Sequence, residues 1–171
     1  YVRNVLKKDV KPDFSNVIDH FYIRNIFKLT KEEDLEFWDK NYNAVINAVK
    51  PKKSAVQVIN QLKKEGNNIF IITARWDTEN ASAYEVSKKW LEENNICYDK
   101  LIVGAEDKGK IAKELSIDVF VDDSSKNCES VAKQGIRTYI FTSAINKDCK
   151  DINFGRVNSW DEFYKRVKEE I

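Results

Sequence analysis

From residue 51 onward the chain alternates short, nearly continuous apolar runs with stretches of helical spacing, and this alternation constrains its fold more than any other feature. The runs are NIFIITAR (68–75), LIVG (101–104), DVFVDD (118–123) and RTYIF (137–141), each of strand length and without the polar alternation of a half-exposed strand. A helix capped by Ser54, with Ala55, Val56, Val58, Ile59 and Leu62 on its apolar side and Gly66 past its end, precedes the first run. Further helices are predicted at 80–94, with Tyr84, Val86 and Leu91 facing inward, at 108–115, at 125–133 and at 159–170, the last capped by Ser159. Strands buried on both faces and joined by helices form a parallel, doubly wound sheet, because right-handed crossovers place helices on either side. In such α/β sheets ligands bind outside the carboxyl ends of the strands.

The first fifty residues read differently. Val17, Ile18, Phe21, Tyr22 and Ile26, and then Leu35, Phe37, Trp38, Tyr42, Val45, Ile46 and Val49, recur at helical spacing with no strand between them. Thr30 and Glu33 have the spacing of a capping box, and Pro51 marks a stop. Residues 1–50 are therefore expected to form a small helical cap region and 51–171 an α/β core.

Composition narrows the function classes. Hydrophobic residues are 42% and charged residues 33%, which excludes both a disordered chain and a membrane-embedded one. The 29 basic and 28 acidic residues nearly cancel, and the lysine pairs at 7–8, 52–53, 63–64 and 88–89 are interspersed with acids, so no basic stripe invites nucleic acid. Cys97, Cys128 and Cys149 have neither metal-site nor disulfide-framework spacing and are read as structural, in keeping with a cytoplasmic setting. His20 is the sole histidine, which argues against a histidine-dependent mechanism.

Three chemical signals stand at predicted strand ends. Thr73 ends IFIIT, Lys108 opens the helix after LIVG, and Asp122 and Asp123 end VFV. Singly, each has a plain structural use: a threonine caps a turn, a lysine is a solvated charge, and an acidic pair caps the helix that follows. Jointly they outline a phosphoryl-transfer site. Two carboxylates suit Mg²⁺, which takes one or two of them and keeps water and substrate phosphate as its other ligands, while a hydroxyl and an ammonium hold the remaining phosphoryl oxygens.

IFIITAR, EDKGK and VFVDDSSKN, in that order, resemble the motifs of the haloacid dehalogenase superfamily of phosphatases: a strand ending in Thr or Ser, then a Lys, then a strand ending in two acids. The TAR form and the VDD ending look most like the nucleotidases of the 5'(3')-deoxyribonucleotidase type and their bacterial relatives, and EDLEFWDKNY looks like their cap. The resemblance implies a Rossmann-like sheet with a small helical cap, a Mg²⁺ cofactor and a small-molecule phosphomonoester substrate, nucleotides first. It implies that Thr73 binds the phosphoryl group, that Lys108 stabilises its charge, and that Asp122 and Asp123 supply the acidic part of the Mg²⁺ shell, one of them directly. Lys110 is a neighbouring candidate for the motif lysine, and Arg75 is a candidate substrate-binding residue. Cap aromatics such as Phe21, Tyr22, Phe37, Trp38 and Tyr42 could stack on a base.

One motif of that superfamily is not found in the sequence. Its first strand ends in Asp-x-Asp, whose first Asp is the nucleophile, and this chain has no Asp-x-Asp. In the superfamily that strand lies between those corresponding to 69–73 and 118–122, so its absence predicts two unpaired inner edges. With no methionine in the chain and an opening segment, YVRNVLKKD, that reads as helical, the expectation is an upstream βα segment of about twenty to thirty residues carrying the nucleophile. A phosphorylation-responsive receiver domain is set aside because its acidic pair precedes its Thr and Lys. A non-catalytic binding or scaffold protein of the same fold is the alternative.

Overall fold

Each apolar run of the sequence forms a parallel strand, shorter than the run itself except for RTYIF, which is strand over its whole length. The computed structural model describes residues 2–13, 22–147, 149 and 153–169, and the elements that follow are those of the described residues. Helices α1 (Tyr22–Phe27), α2 (Lys31–Ala48) and α3 (Ala55–Lys64) precede β1 (Phe70–Ile72). Then come α4 (Ala83–Glu93), β2 (Lys100–Ile102), α5 (Lys108–Glu114), β3 (Val119–Asp122), α6 (Ser125–Ala132), β4 (Arg137–Phe141), β5 (Gly155–Val157) and α7 (Trp160–Glu169).

The strands make two parallel sheets. β1 pairs with β2, Ile71 opposite Leu101; β3 pairs with β4, Val121 opposite Tyr139, and β4 with β5, Ile140 opposite Arg156. The orders are β1-β2 and β3-β4-β5, so β1 and β3 each keep one edge without a strand partner among the described residues. A cleft of about 1030 Å³ is lined by Ile69–Ile72 on one side and Val119–Asp122 on the other, with Leu62 and Phe163 among its walls. Two unpaired inner edges are what the sequence predicts, and they border one shared cleft.

Helices hold the two sheets together across that cleft. Val58 and Leu62 of α3 pack with Tyr139, Phe141 and Val157 of the larger sheet and with Phe163 and Val167 of α7. Val56 and Ile59, on another side of the same helix, pack with Leu91, Ile96, Leu101 and Ile71 of the smaller one. On the opposite face Ala112, Phe120 and Val131 form a cluster that Ile72 of β1 joins. Most of this area is aliphatic and aromatic surface removed from water, at roughly 25 cal/mol per Å².

Local chemistry fixes the element ends. The capping box at Thr30 forms in both directions, and Glu32, Glu33 and Asp34 fill the first turn of α2, where the helix dipole favours acids. Asp107, Ser124 and Ser159 accept the orphan N–H groups of Lys110, Asn127 and Glu162 at the starts of α5, α6 and α7. Gly66 follows α3 with φ +91°, a left-handed conformation that costs glycine nothing.

Several expectations are corrected. Residues 2–6 form turns rather than a helix, and Val17, Ile18, His20 and Phe21 lie outside the described residues. Ser54 stands at the start of α3 in a left-handed conformation and makes no side-chain cap; its hydroxyl donates instead to Asp161 at 3.1 Å. Helix α4 starts at Ala83 because a Thr78–Ala81 bridge and the Asp77 carboxylate, which accepts the Ala83 N–H at 2.7 Å, hold 77–82 as a turn. Its buried positions are Ala83, Ser87 and Leu91, with Val86 half-buried against the Tyr42–Ile46 cluster, so Val86 and Leu91 face inward as expected and only Tyr84, 42% exposed, does not. In α2 the inward positions are Trp38, Tyr42 and Ile46, while Leu35 and Val49 face out. Strand β5 has no counterpart in the sequence reading.

Candidate active site

Strands β1 and β3 line the cleft between the sheets, and the residues at their carboxyl ends are the ones the sequence singles out. At the end of β1, the Thr73 N–H donates to Ile102 at 2.9 Å and the Thr73 carbonyl accepts from Ala105 at 3.0 Å, so the backbone here is anchored by the segment that leaves β2. The Thr73 hydroxyl oxygen accepts the Arg75 N–H at 3.3 Å. Among the described residues its hydroxyl proton has no acceptor, which leaves the group a donor for an incoming oxygen.

Lys108 is the first residue of α5 and only 8% exposed. Its ammonium donates to Asp122 Oδ2 at 2.7 Å, and both side chains are 9% exposed. A lysine at the start of a helix faces the unfavourable end of the dipole, so this placement is carried by the carboxylate opposite. Close approach of α5 and α6 makes it possible: a Cβ on Gly109 would collide with the backbone and hydroxyl of Ser130. Lys110, one helical step on, is exposed and reaches Glu114 at 4.0 Å on the helix surface.

Asp122 is held from three directions. Besides Lys108, its Oδ2 accepts from Asn127 at 3.2 Å and its Oδ1 accepts the Ser124 N–H at 2.8 Å. Asp123 is different, since among the described residues its carboxylate accepts from no other side chain. Although Asp123 is solvent-exposed as a residue, desolvation by the surrounding protein and the adjacent Asp122 charge push its pKa up, with Lys52 and Lys108 pulling the other way. Lys52 lies 5.0 Å from the Phe141 ring centroid at the end of β4. Two neighbouring carboxylates are a donor set suited to a hard divalent cation. Among the described residues no group of three or more His, Cys, Asp or Glu side chains gathers to hold a metal, so the pair stands alone as a potential acidic ligand set.

Arg75 leaves Thr73 on the side of α4 and α2. Its Nη1 donates to the Ser87 hydroxyl at 3.0 Å, and burial lowers its pKa with only Tyr42 offsetting the effect. Next to it Trp76 is 45% exposed and meets Trp38 of α2 edge-on, 6.4 Å between centroids. Tyr42, 3% exposed, has a hydroxyl with no partner.

Thr73 thus directly follows β1, Asp122 and Asp123 stand at the end of β3, and Lys108 is joined to Asp122, which itself lines the cleft, while Arg75 is tied to Ser87 of α4. Sequence reasoning missed Asn127 and Ser124, both inside the quoted VFVDDSSKN, and also Lys52 and Asn146, whose side chain donates to the Asp123 carbonyl at 2.7 Å. The first two had a signal, as polar residues in the turn after an acidic strand end. The other two lie in segments far away in the sequence with no motif. Cys128, beside this cluster, donates to the carbonyls of Asp122 and Tyr139, and burial pushes its thiol up to about 12, which makes it inert. No described helix is long and apolar enough to cross a membrane.

Comparison with known proteins follows the same lines. Residues 4–169 match the family described as 5' nucleotidase, deoxy (pyrimidine), cytosolic type C protein. A Clostridium acetobutylicum protein named as a nucleotidase is 30% identical over 145 residues, covering 84% of this chain and 73% of the relative. A Bacillus cereus protein bearing the name "Putative nucleotidase" is 28% identical over 171 residues, 97% of this chain and 87% of that one. A Chlorobaculum tepidum protein named "Putative 5'(3')-deoxyribonucleotidase" is 27% identical over 116 residues, 67% of this chain and 54% of the relative.

Proposed function

The chain belongs to the 5' nucleotidase, deoxy (pyrimidine), cytosolic type C family, a nucleotidase family of the haloacid dehalogenase fold, and from that premise we propose that it is a Mg²⁺-dependent phosphomonoesterase acting on nucleoside monophosphates. The observation that carries the reading is the nearly buried Lys108–Asp122 pair at 2.7 Å, set beside Asp123 at the end of β3, a strand that lines the same cleft as β1, the strand Thr73 follows.

Asp122 and Asp123 would hold Mg²⁺, and the ion when bound supplies charge neutralisation for the phosphoryl oxygens. Thr73 donates a hydrogen bond to one phosphoryl oxygen, and Lys108 places an ammonium beside the developing negative charge in a site where little water screens it. Arg75, Trp76 and the aromatic side of α2 face the leaving group. In this reading the nucleophilic carboxylate comes from a strand that fills the cleft between β1 and β3. A carboxylate oxygen forms a bond to phosphorus as the ester P–O bond breaks, and the leaving alkoxide takes up a proton. Water then attacks phosphorus, the acyl phosphate P–O bond breaks, and inorganic phosphate and the free carboxylate result.

The test is phosphate release from a panel of nucleoside monophosphates by the full-length protein, with Mg²⁺ and with a chelator. Asp122→Asn, Asp123→Asn and Lys108→Ala should each cut turnover tenfold or more, and Lys110→Ala should leave it unchanged. Full activity in chelator, or in the Lys108 variant, overturns the assignment.

A further inference from the structure

The side chain of Asn146 is 2% exposed, lies in the loop after β4, and uses every hydrogen-bonding position it has. Its Nδ2 donates to the carbonyl of Asp123 at 2.7 Å and to that of Phe141 at 2.8 Å. Its Oδ1 accepts the Ser143 N–H at 3.0 Å and Arg156 Nη1 at 3.2 Å. Two carbonyls require the amide nitrogen and two N–H donors require its oxygen, so the network itself fixes which way the amide points. Arg156 arrives on β5, in register with Ile140 of β4. From there its guanidinium also donates to the Thr142 hydroxyl at 3.3 Å and to the carbonyls of Asn146 and Cys149 at 3.2 and 3.1 Å.

The two strand-end carboxylates are therefore set by separate devices. Asp122 is fixed through its own carboxylate by α5 and α6, as described above. Asp123 makes no such contacts, and what fixes it is its carbonyl, which determines the direction its Cα–Cβ bond can take. We propose that Asn146 is a positioning residue for Asp123, clamping the backbone at the end of β3 to that at the end of β4, and that Arg156 keeps Asn146 in place. The inference rests on the reading of Asp123 as part of the metal-binding pair. An apolar residue at 146 would fill space but leave two carbonyls and two donors unsatisfied, whereas a buried aspartate would turn one oxygen against the two carbonyls.

The experiment is calorimetric titration of the full-length protein with Mn²⁺ as the probe, alongside thermal melting and the Mg²⁺ concentration giving half-maximal phosphate release. Asn146→Ala should bind Mn²⁺ about tenfold more weakly, the usual cost of losing a group that orients a metal ligand. Arg156→Lys keeps the charge but not the planar fork, and should show a smaller loss in the same direction. The double variant Asn146→Ala/Asp123→Asn should bind no worse than Asp123→Asn alone, because the two act on one ligand, while any loss in melting temperature from Asn146→Ala persists in both backgrounds. Wild-type Mn²⁺ affinity in a folded Asn146→Ala, with Asp123→Asn impaired, overturns the positioning role and leaves the metal-pair reading intact. Undiminished affinity in Asp123→Asn overturns both. Should Asn146→Ala fail to fold, Arg156→Lys decides, and wild-type affinity there also overturns the proposal.

Discussion

At the scale of single residues, the Lys108–Asp122 pair ties stability to chemistry. Both side chains are almost withdrawn from water, so removing one partner leaves the other as a buried charge, which costs more than the pair itself contributes. Lys108→Met is expected to lower unfolding free energy by about 3 kcal/mol, and Lys108→Met/Asp122→Asn to recover much of that while remaining inactive; urea unfolding of both variants checks it. Asp34 gives a pH test away from the site. It is 6% exposed with one oxygen unpaired, and burial raises its pKa, with the Arg24 charge and a bond from Trp38 opposing the shift. A raised carboxyl pKa means the folded state binds the proton more tightly, so the favourable contribution is complete below the ordinary value of 3.8 and is lost as pH rises through the folded value. Asp34→Asn should therefore gain stability relative to the native protein at pH 7 and lose that advantage at pH 3, as chemical denaturation at the two pH values will show; an equal difference at both would refute it. At this scale the motif residues were legible because strand-end chemistry leaves local marks: an acidic pair after an apolar run, a lysine at a helix start. Asn146 and Arg156 leave none, since their meaning arises only when two strands bring distant loops together.

At the scale of elements, α5 and α6 act as one unit because a glycine lets them touch. The space a Cβ would need at Gly109 is taken by the backbone and hydroxyl of Ser130, and backbone cannot swing aside as a flexible side chain can. Gly109→Ala should cost about 1–3 kcal/mol, the usual toll of overpacking. Because Lys108 precedes it, the variant should also lower kcat more than it raises KM; melting and steady-state kinetics together test this, and unchanged values in both would refute it. Elements with long periodic patterns were readable in advance, including β4 with its full range and α2 with its capping box. The failures have specific causes. In α4 Val86 and Leu91 pack inward as read and only Tyr84, in the first turn, is left exposed, while β5 was invisible because three residues, Gly155–Val157, carry no apolar run.

At the scale of the whole molecule, the two sheets behave as halves of one. Both are parallel, α3 packs against each of them, and their unpaired edges line a common cleft. One parallel strand placed between them needs about 4.8 Å on each side, and it would give the order β2-β1-new strand-β3-β4-β5. The backbone of β1 identifies the amides that would report its arrival. Ile69 accepts from Asp99 and Lys100, and Thr73 donates to Ile102, so odd-numbered residues of this strand bond toward β2. In a parallel ladder successive residues bond to opposite sides, which turns the N–H groups of Phe70 and Ile72 toward the cleft. In the 171-residue chain by itself, those two amides should exchange with solvent at least tenfold faster than those of Ile71 and Thr73, as expected of hydrogen bonds left unmade. When a strand completes the sheet, all four should be protected alike, and phosphatase activity should appear under the same condition. Hydrogen exchange followed by NMR distinguishes the cases. Equal protection of the four amides in the 171-residue chain would mean that something else already satisfies the edge, and the nucleophile would then have to be sought away from the cleft.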